Sequence, residues 1–155
     1  MQRARWLYVT VPILAAMAFA TSVWVAPWWT IGEVTVGPFG SHHCFGGNCR
    51  AGGLAWTGGT DLWMRSAIAT GAAALLSMIL LLAVAGGIAA RRTPVLVSKM
   101  SLVSIACAIA CAAYFVVELP REMPLVLGSG AIAFGLGVVM GLAVPIAVLR
   151  RHRRA

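Results

Sequence analysis

Cys44 and Cys49, preceded by His42 and His43 and followed by Arg50, form the densest group of reactive side chains in the sequence. The intervening Phe45-Gly46-Gly47-Asn48 can fold back and bring the two sulfurs together with little strain, so a structural disulfide is the leading expectation. The loop it closes is short, and its expected entropic contribution is on the order of 2 kcal/mol. Thiolate and imidazole together also suit zinc or copper, which makes His42 and His43 weak candidate ligands. Adjacent residues of an extended chain point to opposite sides, which argues against that metal site. The other cysteines, Cys107 and Cys111, lie one helical turn apart inside an apolar run and read as small packing residues. No combination of side chains completes a catalytic constellation. We therefore expect no enzyme activity, no cofactor and no identified small-molecule substrate.

The elements that must position this group are membrane elements. The chain is 61% hydrophobic and only 10% charged, with a mean hydropathy of +0.91, far from the composition of soluble domains. Four apolar runs each reach the roughly 20 residues that a bilayer requires. They divide the chain into spans at 6–26, 62–90, 94–119 and 124–149, a loop at 27–61 and a tail at 150–155, within one integral membrane domain. The first run also contains Ala18-Phe19-Ala20 behind Arg3 and Arg5, the pattern of a signal-peptide cleavage site. Its continuation through Val23, Trp24 and Val25 favours a transmembrane helix. The centres of the spans carry no ionisable residue except the cysteines, which argues against a proton-coupled transporter or a pump.

The formal charge of +8 could suggest nucleic acid, but its distribution excludes that reading. Arg3, Arg5, Arg91, Arg92, Lys99, Arg150, Arg151, Arg153 and Arg154 fall at one end of the spans, with no acid among them. Glu33, Asp61, Glu118 and Glu122 fall at the other. The positive-inside rule then places both termini in the cytoplasm and residues 27–61 outside a plasma (inner) membrane. Arginine, alanine and glycine are abundant, as in proteins encoded by GC-rich bacterial genomes.

Within the outer loop, Ile31 and Glu33-Val34-Thr35-Val36 alternate like a strand that Gly37-Pro38 ends, and Leu54-Ala55-Trp56-Thr57 reads as a second strand. The fold class is therefore an all-α transmembrane four-helix bundle with a small extracytoplasmic antiparallel β-sheet. Thr60 is placed to cap the second helix. Thr93-Pro94 is placed to start the third, with Ser98, Lys99 and Ser101 at the membrane interface. Trp28 and Trp29 follow the first helix at the depth that favours amphipathic rings and should anchor the sheet to the bilayer surface and to the bundle. The fourth span contains Gly130 and the GxxxG pair Gly137/Gly141, which suits close helix contact, within the bundle before between protomers.

The whole arrangement resembles the claudin-type tetraspan superfamily. Pro27-Trp28-Trp29 is similar to the tryptophan motif at that family's loop entry, and Gly37-Pro38-Phe39 stands where its G-L-W motif is expected. Cys44 and Cys49 match its disulfide pair, and Arg65 matches the arginine at the start of its second helix. The second outer segment is much shorter than in claudins. The resemblance implies a non-enzymatic membrane protein that works by contact with a membrane-protein partner or with itself, in envelope or junction organisation or as an accessory subunit. The alternative is a likeness to four-helix membrane thiol–disulfide oxidoreductases, which keep a cysteine pair and a nearby arginine in the first outer loop. That family also has a second outer pair, for which this chain has no counterpart.

Overall fold

The computed structural model describes residues 2–119 and 126–153, with side chains from residue 6 onward. Four helices, α1 (Gln2–Ala20), α2 (Asp61–Ala89), α3 (Val95–Val117) and α4 (Ser129–His152), are long and apolar enough to cross a membrane. Each packs on its neighbour in sequence, α1 closes on α4, and α2 and α4 lie on a diagonal. The apolar run of α1 continues as a π-helical turn over Thr21–Val25, so helical backbone extends almost to the expected end of the first span. Thr60 caps α2 as expected, its hydroxyl accepting from the Trp63 amide at 3.2 Å.

The sheet is larger than the sequence led us to expect. Its strands are β1 (Trp29–Ile31), β2 (Val34–Gly37), β3 (Gly40–Phe45), β4 (Asn48–Gly52) and β5 (Val126–Leu127), antiparallel in the order β4-β3-β2-β1-β5. Leu54–Thr57 is not a strand: Ala55–Thr57 forms a 3-10 turn that closes when the Thr57 amide and hydroxyl both donate to the Leu54 carbonyl. Nor does the fourth helix begin at 124. Val126–Leu127 pairs with β1, and α4 starts only at Ser129. The expected turn at 120–124 lies outside the described residues.

An aromatic cluster joins sheet and bundle. Phe115 on α3 is fully buried, with the rings of Trp28, Trp29 and Trp63 at 5.8, 4.6 and 4.9 Å from its centroid. Phe134 on α4 packs against Trp28 at 5.1 Å and meets Phe19 of α1 edge-to-face at 5.6 Å, so all four helices meet the base of the sheet. Trp63 is buried as well, and its indole donates to the Phe115 carbonyl at 2.9 Å. The entry to α4 is stitched to the same place: the amides of Gly128 and Gly130 donate to the carbonyls of Trp28 and Pro27. Side chains at either glycine would collide with the Pro27 and Ala26 carbonyls.

Candidate functional site

The sheet stands on the bundle at the end away from the chain termini, and its two faces differ. The strand register puts Trp29, Val34, Val36 and Ser41 on one face, and these are buried. Thr30, Thr35, His42, Cys44, Cys49 and Ala51 share the other, which is half-buried to exposed. Alternation along β3 therefore separates His42 from His43, as adjacent residues of a strand must be. Among the described residues no group of three or more His, Cys, Asp or Glu converges as metal ligands would.

Cys44 and Cys49 are bonded directly across β3 and β4. They lie on the strands themselves, one pair in from a two-residue turn whose glycines, Gly46 and Gly47, both have positive φ, 56° and 83°. Two left-handed residues make a primed turn, whose twist matches that of the flanking strands and fixes the register that brings the sulfurs opposite. Phe45 beside the turn is 60% exposed, and Cys49 and Arg50 are exposed on the edge strand β4.

On the buried face Ser41 is a hydrogen-bond hub that sequence reasoning missed. Its hydroxyl oxygen lies 2.9 Å from Trp56 Nε1, 2.9 Å from His43 Nε2 and 3.0 Å from the Gly53 carbonyl. One hydroxyl offers one proton and two lone pairs, so the set closes when Ser41 donates to Gly53 and accepts from the indole and from an Nε2-protonated His43. The His43 ring also meets Trp56 edge-on at 4.9 Å. With its proton committed and its side chain buried, Ser41 is a structural joint, not a nucleophile, and it ties the chain after β4 back under β3.

Gly37-Pro38-Phe39 forms the β2–β3 turn. Pro38 is buried, and the Phe39 ring lies over Gly71 of α2, where a β-carbon would come within 2.7 Å of it. Phe39 also lines a cleft of about 260 Å³ across which Val23, Trp24 and Val25 of the π turn face Thr35, His42 and Ala51. Arg65 is exposed on the second turn of α2. Gly137 and Gly141 face inward: β-carbons there would meet the Phe19 ring at 3.2 Å and Ile105 at 3.1 Å. Cys111 is half-buried, whereas Cys107 is exposed on the outside of the bundle and does not pack in its interior.

Compared with known protein families, curated proteins and solved structures, the chain matches none.

Proposed function

We propose that this chain is a non-enzymatic, claudin-like multi-pass membrane protein with both termini cytoplasmic and the sheet outside, acting through protein–protein contact made by that sheet. The observation that carries the reading is the contrast within one element. The base of the sheet is fixed among Trp28, Trp29 and Phe115, while its β3–β4 hairpin projects with Phe45, Cys49 and Arg50 exposed. A surface held rigid before contact loses little conformational entropy when a partner arrives, and exposed aromatic and arginine side chains are common anchors of such contacts. The charge asymmetry along the chain supports the orientation.

A photo-crosslinking side chain at position 45 tests the contact in cells. The expected result is a discrete protein adduct that is absent when the same group replaces Val139, which is exposed on α4. Lipid adducts alone from position 45 would defeat the proposal. Orientation is read separately, by membrane-impermeant labelling of single cysteines at positions 45 and 155. Labelling of both from the same side would reject the topology.

A second reading, thiol–disulfide exchange at Cys44/Cys49, has one observation on its side. Cys49 is exposed at the hairpin end and shares a face with His42, so a thiolate could reach the bond.

A further inference from the structure

The turn between α2 and α3 lies at the end of the bundle opposite the sheet. There α2 stops in a Schellman arrangement: the Arg91 amide donates to the Ile88 carbonyl at 3.1 Å and the Arg92 amide to Gly87 at 2.9 Å. This geometry needs one residue in the left-handed region, a position usually filled by glycine. Here it is Arg91, at φ 59°, the one non-glycine residue with positive φ among the described residues. Its β-carbon is strained against the neighbouring carbonyl, a strain that glycine would not have. The position therefore carries a cation at a conformational cost.

Immediately beyond, α3 begins on Pro94, which makes no side-chain cap, and Pro94 packs against Gly87. The amides of Leu96 and Val97 precede the first intrahelical bonds, so the positive end of the helix dipole is left without an acceptor from the described chain. In the same turn Ser98 lies on the buried face of α3, and its hydroxyl has no hydrogen-bond partner among the described residues. Ser101, one turn further along α3, is likewise buried. Arg91, Arg92 and Lys99 surround this helix start and are exposed, while the described acids Glu33, Asp61 and Glu118 sit at the sheet end. Directly along α3 from the turn, Leu96, Met100 and Val103 form an exposed apolar stripe, with Leu96 70% and Val103 65% accessible.

We infer that this turn is a binding site for the phosphate of an anionic phospholipid. The head group's charge meets Arg91, Arg92, Lys99 and the free amides of α3, as anions do at helix N-termini. The acyl chain lies along Leu96, Met100 and Val103, which is what selects a lipid over a free anion. The inference rests on the helices crossing a membrane, but not on which side the sheet faces.

The test uses the purified full chain in detergent, with phosphatidylglycerol, phosphatidylcholine or inorganic phosphate as the added probe, read by melting temperature and by native mass spectrometry. Phosphatidylglycerol should raise the melting temperature and remain bound; the other two at matched concentration should not. Arg91→Gly should melt higher than the parent without lipid, because the strain is gone. It should nevertheless bind phosphatidylglycerol about fivefold more weakly, the effect of one surface cation. Adding Arg92→Gln should weaken binding by a similar factor again, whereas Arg153→Gln, at the end of α4, should leave it unchanged. Unaltered binding by Arg91→Gly would overturn the site, and so would an equal loss from Arg153→Gln, which would reveal diffuse charge. Equal stabilisation by inorganic phosphate would overturn the lipid assignment. Labelling that placed both termini outside would reject the proposed orientation and leave these results standing.

Discussion

The indole of Trp28 donates to Ser22, with Nε1 lying 3.0 Å from the carbonyl oxygen and 3.1 Å from the hydroxyl. This contact accounts for the π-helical turn that ends α1. In a continuing α-helix the Ser22 carbonyl would accept from the Ala26 amide, but that amide donates to Thr21 instead, at 2.9 Å. The freed carbonyl is buried, and the tryptophan six residues later satisfies it. A side chain of the sheet's first segment thus replaces a backbone bond of the first helix.

Trp28→Phe should therefore destabilise the fold by about 1–3 kcal/mol, the usual cost of leaving a buried acceptor unpaired. Ser22→Ala removes only the hydroxyl and should cost less. Denaturant or thermal unfolding in detergent measures both. Equal stability of Trp28→Phe and the parent would remove the bond from any explanation of the π turn.

A second contact links sheet and bundle at Gly71, which the Phe39 ring covers. Gly71→Ala places a methyl group 2.7 Å from that ring, so the β2–β3 turn must lift. We expect a loss of about 1–3 kcal/mol, as for other over-packed sites. Gly71→Ala combined with Phe39→Ala should lose less than the two single changes summed, because the clash is absent when the ring is gone. Strict additivity would show that the two residues do not meet.

How far these features are legible in the sequence depends on the distance over which they are determined. The four helices follow from apolar length alone, and β2 from the alternation of Val34, Thr35 and Val36. By contrast, β3 is built from Gly40, Ser41, His42, His43 and Cys44, types with little preference for strands, and it forms because β2 and β4 flank it. Strand β5 owes its existence to β1, almost a hundred residues away in sequence. The Leu54–Thr57 segment looks extended by composition, yet Thr57 turns its hydroxyl back to Leu54 and Trp56 reaches Ser41. The disulfide is legible from spacing; the Ser41 hub is not, since its partners lie 2, 12 and 15 residues away.

The GxxxG pair gives a third test. Gly137 accommodates Phe19, and Gly141 accommodates Ile105 and Leu81, so the small residues serve contacts among α1, α2, α3 and α4 of one chain. Gly137→Leu or Gly141→Leu should lower stability by about 1–3 kcal/mol through over-packing. The same changes should leave self-association, read by crosslinking or single-molecule photobleaching in bilayers, as it is in the parent. Loss of a dimer with an unchanged melting curve would move these glycines to a protomer contact.

The last expectation separates contact from redox chemistry at Cys44 and Cys49. The bond joins directly opposed residues of a hairpin whose register the Gly46-Gly47 turn already fixes. As a structural tie closing a short loop it contributes on the order of 2 kcal/mol. Acid quenching followed by thiol trapping should find it fully oxidised, and it should remain so when quinone or the cell's dithiol oxidases are withdrawn. Cys49→Ser should then lose order in β3 and β4, seen as faster amide exchange there, while Cys44 captures no thiol partner. A catalytic pair behaves otherwise, since it cycles and is caught as a mixed disulfide when one cysteine is replaced. A reproducible mixed disulfide through Cys44 would defeat the structural role and make exchange at the hairpin end the working reading. Arg50, the exposed residue that follows Cys49 on the edge strand, would be the next residue to change.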